Sequence, residues 1–173
     1  MKNIIIIGMP GAGKSTMGVV LAKTLGRNFI DTDIVIQEHA GRLLQEIIDE
    51  EGPEAFLAIE EKTILSLHPH SLQCRNAVIA TGGSVVFSEK AMEHLKARGV
   101  VIYLKISCEE MVRRLNNITT RGIVLVAGQS LPEMYAQRIP LYEKYADITI
   151  DCSEDDFENC IGTVIDELSK FQA

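Results

Sequence analysis

The chain has 173 residues, of which 46% are hydrophobic and 24% are charged, as in an ordinary soluble globular protein. At roughly 150 residues per domain this length predicts one domain over residues 1–173, with a core that needs no disulfide or metal staple. The composition excludes a disordered chain, a collagen and a coiled coil. The net charge of −7 argues against a general duplex-binding surface, because phosphate contacts need clustered Lys and Arg.

The cysteines and the apolar segments indicate the cellular compartment of the protein. No two cysteines form a C-x-x-C pair and no secretory segment stands at the N-terminus, so we expect reduced thiols in the cytoplasm. The apolar run Ile4–Ile7 is far too short to span a bilayer. We therefore expect a cytoplasmic monomer with a small-molecule partner and no contact with nucleic acid or membranes. Each cysteine is expected to be a small core residue, namely Cys74, Cys108, Cys152 and Cys160.

Short apolar runs alternate with helical periods in the first half of the chain. Asn3–Ile7 is an apolar and mostly β-branched run, typical of a strand that is buried on both faces. Lys14–Leu25 predicts a helix that ends at Gly26. The next predicted elements are a strand over Asn28–Asp31, helices over Ile34–Ala40, Leu43–Glu51 and Glu54–Leu67, and a strand over Ala77–Thr81. Pro53 is well placed as the first residue of the helix that continues over Glu54–Leu67.

The second half of the chain continues the alternation. Ser88 predicts the N-cap of a helix that Gly99 closes, and Ser107 with Glu110 predicts a capping box. Residues 116–130 have no clear period. Strands are predicted over Val100–Leu104 and Ile148–Ile150, and a helix is predicted to start at Pro132 and to be interrupted at Pro140. The last predicted helix has an apolar stripe that we expect in the core, formed by Phe157, Cys160, Ile161, Val164, Ile165 and Leu168.

Strands that alternate with helices predict an α/β fold, with a five-stranded parallel sheet between two layers of helices. Ligands of such sheets bind at the carboxyl ends of the strands. The residues that directly follow each predicted strand are therefore the first candidates for a functional site.

A predicted phosphate-binding loop follows the first strand. Gly8–Ser15 fits the pattern G-x-x-x-x-G-K-[ST] and lies between a buried strand and a helix, the context that this motif requires. Backbone N–H groups in such a loop surround an anion, and the helix N-terminus adds its positive end. Lys14 is predicted to reach the β- and γ-phosphates of a nucleotide, and Ser15 to ligate Mg²⁺. The alternative is a glycine-rich turn without a ligand.

Two carboxylates follow the second predicted strand. In the structural interpretation, Asp31 or Asp33 caps the helix that begins near Ile34. Beside a phosphate loop the functional interpretation leads, because phosphoryl transfer needs one carboxylate to hold Mg²⁺ or its waters and another to orient the attacking hydroxyl.

Three further segments carry candidate chemistry. Thr81–Ser84 follows the third strand, where two glycines either let backbone N–H groups approach a ligand or form a plain tight turn. Arg121 and Arg138 are candidates to neutralise charge on a transferred phosphate, with a solvated surface position as the alternative for each. His68-Pro69-His70 lacks partners at metal-ligand spacing, so we expect a solvated loop.

Several motifs occur together over nearly the whole chain. They are Gly-Met-Pro-Gly-Ala-Gly-Lys-Ser-Thr at 8–16, Phe29-Ile-Asp-Thr-Asp33, Gly52-x-x-x-Phe56 with Glu60, Ala80-Thr-Gly-Gly83, Val112-Arg-Arg114, Arg121, Arg138-Ile-Pro-Leu-Tyr142 and Ala146-Asp147. In this combination the chain resembles the shikimate kinase family, a branch of the three-layer P-loop NTPase fold. The phosphate loop is shared by many NTPases, whereas the D-T-D, T-G-G and R-x-P-L-Y motifs together are much more specific.

The resemblance implies an ATP-dependent kinase with Mg²⁺. It places Mg²⁺ at Ser15 and Asp31, a lid over ATP at about residues 114–131, and adenine against Arg114. Catalysis falls on Lys14, Asp33 and Arg121. The implied nucleotide-binding residues are Gly11, Ala12, Gly13, Lys14, Ser15, Thr16, Arg114 and Arg121.

The same resemblance implies an acceptor-binding region at about residues 33–65. There Asp33 contacts the substrate hydroxyls, and Arg138 is one of two arginines that grip the shikimate carboxylate. The implied acceptor-binding residues are Asp33, Leu57, Gly82, Gly83 and Arg138.

The chain departs from the family at the acceptor site and the lid. Leu57 stands where the family's F-R-x-x-E motif has its second arginine, Ser84 replaces a third glycine, and Gly122–Leu125 replaces Pro-Leu-Leu. Loss of the arginine is expected to weaken shikimate binding by about ten- to several-hundred-fold. Shikimate phosphorylation is the leading hypothesis. The alternatives are a related kinase with another small hydroxylated acceptor, and a non-catalytic ATP-binding module.

Overall fold

The computed structural model describes residues 2–67, 74–116, 122–125, 128–153 and 157–172. Within these ranges the strands are β1 (Asn3–Gly8), β2 (Asn28–Asp31), β3 (Ala77–Ala80), β4 (Gly99–Lys105) and β5 (Ile148–Asp151). The helices are α1 (Lys14–Leu25), α2 (Thr32–Ala40), α3 (Leu44–Ser66), α4 (Glu89–Lys96), α5 (Cys108–Asn116), α6 (Leu131–Tyr145) and α7 (Phe157–Gln172). The strands are all parallel, in the order β2-β3-β1-β4-β5, which confirms the predicted α/β fold.

The phosphate loop leaves the middle of the sheet because β1 lies between β3 and β4. Residues Ile4–Ile7 of β1 are buried, as expected for a central strand of a parallel sheet that is covered on both faces. The chain continues from β1 toward the β2–β3 side of the sheet and returns later to β4 on the other side. This reversal opens a crevice at the carboxyl edge, where the segments after β1, β2 and β3 meet.

A second, smaller apolar cluster lies beside the crevice, and we refer to it as the α2–α3 cluster. It joins these two helices to the segment 122–125 and belongs to the predicted acceptor-binding region. Its buried members are Ile36, Leu44, Ile47, Ile48, Phe56 and Val124.

The predicted break between two helices near residue 52 is a kink within α3. Gly52 has φ 86° and ψ 166°, which is outside the helical region, and Pro53 follows it as the first residue of the next helical segment. The predicted boundary between two helical segments is therefore present, as a kink at Gly52 within α3.

Two boundary predictions are wrong, each for a reason that involves packing. Gly99 does not close a helix but begins β4, where a methyl group would lie 2.6 Å from the carbonyl oxygen of Asn3. Pro140 does not interrupt α6, although an internal proline costs about 3 kcal/mol. Buried Arg138 and Tyr142 hold the helix on both sides of it.

Two smaller predictions also need correction. The Ser107 hydroxyl accepts from the backbone N–H of Glu110 at 3.1 Å, but the Glu110 carboxylate pairs with Arg113 and Arg114. Phe157, at the start of the stripe in α7, is 39% exposed. The core positions of that stripe are confirmed for Cys160, Val164 and Leu168, and the thiols of Cys74, Cys108, Cys152 and Cys160 are free.

Candidate active site

The phosphate loop joins the end of β1 to the start of α1. Gly13 takes the left-handed conformation at φ 87° directly before the helix, which a side chain would disfavour. Lys14 is buried, and its Nζ donates hydrogen bonds of 2.9 Å to the carbonyl oxygens of Gly8 and Met9. The ammonium group therefore lies inside the loop, at the positive end of α1, where an anionic ligand would be held.

A cavity of about 240 Å³ connects this loop with the predicted acidic pair. Residues 13–16 line one side of it, and Asp31 and Asp33 line the other. Gly83 and Gly122 line it as well. Groups that are far apart in the sequence thus meet at the carboxyl edge of the sheet, in agreement with the expectation for this fold class.

The two carboxylates of the acidic pair have different surroundings. Asp31 caps α2, since its Oδ1 accepts from the backbone N–H groups of Asp33 at 3.0 Å and Ile34 at 3.4 Å. Asp33 lies in the first turn of α2, with its Oδ1 close to Gly82. Asp31 is therefore the helix cap that the structural interpretation expected, and its second oxygen, Oδ2, takes no part in the cap. Asp33 instead faces the segment after β3.

Gly83 forms the floor between the two sides of the cavity, and Gly82 lies directly before it in the chain. The backbone N–H of Gly82 donates to Thr32 Oγ1 at 3.2 Å, so this group binds the protein itself. A methyl group on Gly82 would overlap Glu60 Oε1, and one on Gly83 would lie 2.9 Å from Pro10 Cδ and 3.2 Å from Arg138 Nη1. Neighbouring side chains thus lie so close to positions 82 and 83 that any residue larger than glycine would collide with them.

Glu60 is a buried carboxyl group that sequence reasoning placed in a motif without giving it a role. It is 2% exposed, and its Oε2 accepts a 2.7 Å hydrogen bond from Ser84 Oγ. Burial raises the pKa of Glu60 to about 8, the hydrogen bond from Ser84 opposes this rise, and the nearby charge of Asp33 adds to it. The signal available in the sequence was a glutamate on an apolar helix face beside Phe56.

Arg138 is a buried cation that reaches the site from α6. It is 1% exposed, its Nη2 donates to the carbonyl oxygen of Val124 at 2.6 Å, and its guanidinium lies 5.2 Å from the ring centroid of Phe87. Tyr142, one turn later, donates from its hydroxyl to the carbonyl oxygen of Gly83 at 2.5 Å. The alternative of a solvated surface position is therefore excluded for Arg138, because its side chain is part of the protein interior next to the T-G-G segment.

Arg114 lies on the other side of the phosphate loop. Its Nη1 donates to the carbonyl oxygen of Gly11 at 3.1 Å, and its Nε donates to Glu110 at 2.5 Å. Hydrogen bonds from Arg113 and Arg114 lower the pKa of Glu110 to about 2. The first residues of the predicted lid are thus anchored in α5, while Arg121 and the segment His68-Pro69-His70 lie outside the described residues.

Two oxygen-bearing side chains of the cavity fit a Mg²⁺ ion that is shared with substrate phosphates. No group of three or more His, Cys, Asp or Glu side chains within the described ranges is arranged to hold a metal ion. Ser15 and Asp31 do line the same cavity at the start of α1 and offer oxygen ligands. Mg²⁺ is commonly held by one or two such groups together with substrate phosphates.

The sequence matches known proteins over almost its full length. The family model described as Shikimate kinase matches residues 10–169. A shikimate kinase of Actinobacillus succinogenes is 38% identical over 173 residues, which is 98% of this chain and 97% of that protein. One of Thermodesulfovibrio yellowstonii is 40% identical over 153 residues, 87% of this chain and 86% of that protein.

The chain belongs to the shikimate kinase family. Its fold agrees with this assignment. The shikimate kinase of Acinetobacter baumannii, solved in complex with shikimate, superimposes with a TM-score of 0.86 at 31% identity and covers 98% of this chain and 94% of that chain. No helix in the described part of the chain is long and apolar enough to cross a membrane.

The departures from the shikimate kinase family lie in the predicted acceptor site and the predicted lid. Leu57 is half-buried and packs against the α2–α3 cluster, and it is not among the residues that line the cavity. Gly122 approaches α3 so closely that a methyl group would lie 2.5 Å from Leu44 Cβ. Ser84 bonds to Glu60, as described above. The phosphate loop Gly8–Ser15 keeps the full G-x-x-x-x-G-K-[ST] pattern.

Proposed function

We propose that this protein transfers the γ-phosphoryl group of ATP to the 3-hydroxyl of shikimate. The observation that carries the proposal is the single cavity between the N-terminus of α1 and Asp33, with Arg138 buried behind its floor at Gly83. A phosphate donor and a hydroxylated carboxylic acid would meet there with complementary charge. The similar structure from Acinetobacter baumannii holds shikimate.

The chemistry follows from the residues around the cavity. The phosphate loop and Lys14 hold the phosphates, and Ser15 and Asp31 hold Mg²⁺, which neutralises charge on the phosphates when bound. Asp33 orients the acceptor hydroxyl, whose oxygen forms a bond to the γ-phosphorus as the bond to the ADP oxygen breaks. The hydroxyl proton passes to the Asp33 carboxylate late in the reaction.

The remaining residues bind the two substrates. Arg138 pairs with the acceptor carboxylate, and the backbone at Gly82 and Gly83 approaches the acceptor ring because neither residue carries a side chain. Arg114 packs on adenine beside the phosphate loop, and Arg121 neutralises charge on the transferred group. We propose that the protein acts in this way as a cytoplasmic monomer.

Leu57 favours a second candidate function, phosphorylation of another small hydroxylated acceptor. An apolar side chain replaces the second arginine that grips the shikimate carboxylate in the family, so an acceptor without a carboxylate at that place would fit as well. The phosphate loop and the acidic pair serve both candidates equally.

An assay of ADP release against a panel of hydroxy acids and polyols tests the proposal. Shikimate is expected to give the highest kcat/KM, and Lys14→Ala is expected to abolish turnover without unfolding the protein. Lys23→Ala changes an exposed lysine of the same helix and provides the matched control. Asp33→Asn should lower kcat by about 10²–10⁴-fold, the usual contribution of a general base. Full activity of Lys14→Ala would overturn the role of the phosphate loop, and a clear preference for a polyol would overturn the assignment to shikimate.

A further inference from the structure

Glu60 is a buried carboxyl group that the proposed mechanism does not use. Ser84 donates to its Oε2 at 2.7 Å, and both residues are less than 5% exposed. Among the described residues, Oε1 of Glu60 has no hydrogen-bond partner. Buried polar atoms are nearly always hydrogen-bonded, so this oxygen indicates a group or a proton that completes the site.

Glu60 and Asp33 meet at Gly82. A methyl group on Gly82 would overlap Glu60 Oε1 and lie 2.8 Å from Asp33 Oδ1. Two carboxyl groups that share a buried position do not both ionise readily, because each charge disfavours the other. Burial and the charge of Asp33 both raise the pKa of Glu60, to about 8. The raised pKa favours the neutral acid form of Glu60 at neutral pH, and Oε1, the oxygen that Ser84 does not bind, is the one that lies beside Gly82 and Asp33.

The residue at position 57 affects the charge of Glu60, because the two positions lie on the same helix. An arginine at 57 would stand three residues before Glu60 on the same helix, where opposite charges pair and keep the carboxylate ionised. Leu57 supplies no such charge and packs against the α2–α3 cluster. Ser84, which replaces a glycine of the family, supplies a neutral donor to the same carboxyl group instead.

We propose that Ser84 and Glu60 form a positioning pair for Asp33, in which Ser84 fixes the Glu60 carboxyl and protonated Glu60 donates to Asp33 and orients it toward the acceptor hydroxyl. This inference rests on the proposed phosphoryl transfer to a hydroxyl. The charged groups that face Glu60 are Asp33 on α2, Arg138 on α6 and Lys14 at the start of α1. Ionisation of Glu60 removes the donor and adds a negative charge beside Asp33.

The pH profile of kcat/KM for the acceptor separates this role from a purely structural one. In the wild-type enzyme kcat/KM is expected to fall as the pH rises through about 8, where Glu60 loses its proton. Glu60→Gln keeps a neutral donor and is expected to retain most activity without this decline. Glu61→Gln is the matched control, because Glu61 accepts from Ser88 at 2.6 Å in a neighbouring pair away from Asp33. It should keep the wild-type profile. An unchanged decline in Glu60→Gln would overturn the proposal.

A titration of the ligand-free protein gives a readout that does not depend on turnover. Carbon-13 labelling of glutamate carboxyls, with Glu60 assigned by its loss in Glu60→Gln, should show Glu60 titrating near pH 8. Ser84→Ala should raise that pKa further, because the lost hydrogen bond favours the ionised form. It should also lower kcat by about three- to tenfold, the range for one hydrogen bond.

The two proposals fail in different ways in these experiments. If Glu60 titrates near its ordinary value of 4.5, the positioning pair is wrong even where shikimate is phosphorylated. If Glu60 titrates near pH 8 and shikimate is not a substrate, the proposed function fails. The pair is then retained for whichever acceptor shows the pH-dependent kcat/KM.

Discussion

Arg138 donates a hydrogen bond of 2.6 Å from Nη2 to the carbonyl oxygen of Val124. Val124 is a buried member of the α2–α3 cluster, so this bond joins α6 to that cluster. The guanidinium also lies over the ring of Phe87. The fork geometry of arginine allows one nitrogen to hold the protein while another binds an acceptor carboxylate, as we propose for Arg138.

Replacement of Arg138 by lysine tests this division. Lysine keeps the positive charge but cannot bond Val124 and an acceptor with the same planar geometry. We expect Arg138→Lys to lower kcat/KM for the acceptor by about 10–150-fold, which corresponds to one charge-assisted hydrogen bond. The KM for ATP should stay the same. Arg113→Lys, at an exposed position on α5, is the control and should behave as wild type. An equal effect on ATP and acceptor would contradict the assignment of Arg138 to the acceptor.

The two roles of Asp31 can be separated by a pair of variants. Asparagine is as good an N-cap as aspartate, so Asp31→Asn should retain the cap of α2 and the thermal stability. It removes the negative charge, and we expect the concentration of Mg²⁺ required for half-maximal activity to rise. Asp31→Ala should show the same change and also lose about 1 kcal/mol of stability. If Asp31→Asn has wild-type Mg²⁺ dependence, Asp31 is a helix cap alone.

Leu57→Arg tests whether the missing arginine limits shikimate binding. The new guanidinium would stand three residues before Glu60 and reach the acceptor side of α3. With shikimate as the acceptor, its KM is expected to fall by about tenfold or more, as one charge-assisted hydrogen bond is restored. The kcat should not rise, because an arginine at 57 also favours the ionised form of Glu60. An acceptor without a carboxylate there would lose activity, because a charge is buried in an apolar place. No change with any acceptor would show that position 57 does not face the acceptor.

Gly99 is required by packing between strands, and a second glycine provides the comparison. A methyl group at Gly99 would overlap Ile5 Cδ1 and lie 2.6 Å from the carbonyl oxygen of Asn3, so Gly99→Ala should destabilise the protein by about 1–3 kcal/mol. Gly162 in α7 has no atom within 4 Å of the corresponding position. There Gly162→Ala should stabilise by about 0.5–1 kcal/mol. Denaturant unfolding of both variants checks the pair, and equal stability of the two would contradict the packing argument.

Local signals in the sequence were sufficient for most of the fold. The β-branched run of β1, the glycines of the phosphate loop and the Ser88 cap each act within a few residues, and each is present as predicted. The errors at Gly99 and Pro140 arise from contacts between distant segments. Gly99 packs closely against β1, and α6 stays helical through Pro140. Both features depend on tertiary packing, which a local sequence pattern does not specify.

The candidate site divides in the same way. The phosphate loop and the acidic pair follow strands directly, so their meeting at one cavity could be expected from the fold class. The Ser84–Glu60 bond joins residues that are 24 positions apart, and Arg138 is buried against Phe87 and Val124 from α6. Such pairs depend on the path of the chain, and a single sequence does not specify which distant side chains come together.

Identification of the phosphorylated product tests the central claim most directly. Purified protein is incubated with ATP, Mg²⁺ and shikimate, and the product is assigned by correlating its phosphorus-31 signal with the ring protons. We expect a phosphate ester at the 3-hydroxyl that forms with wild-type protein and not with Lys14→Ala. An ester at another hydroxyl, or ATP hydrolysis without any phosphorylated shikimate, would contradict it.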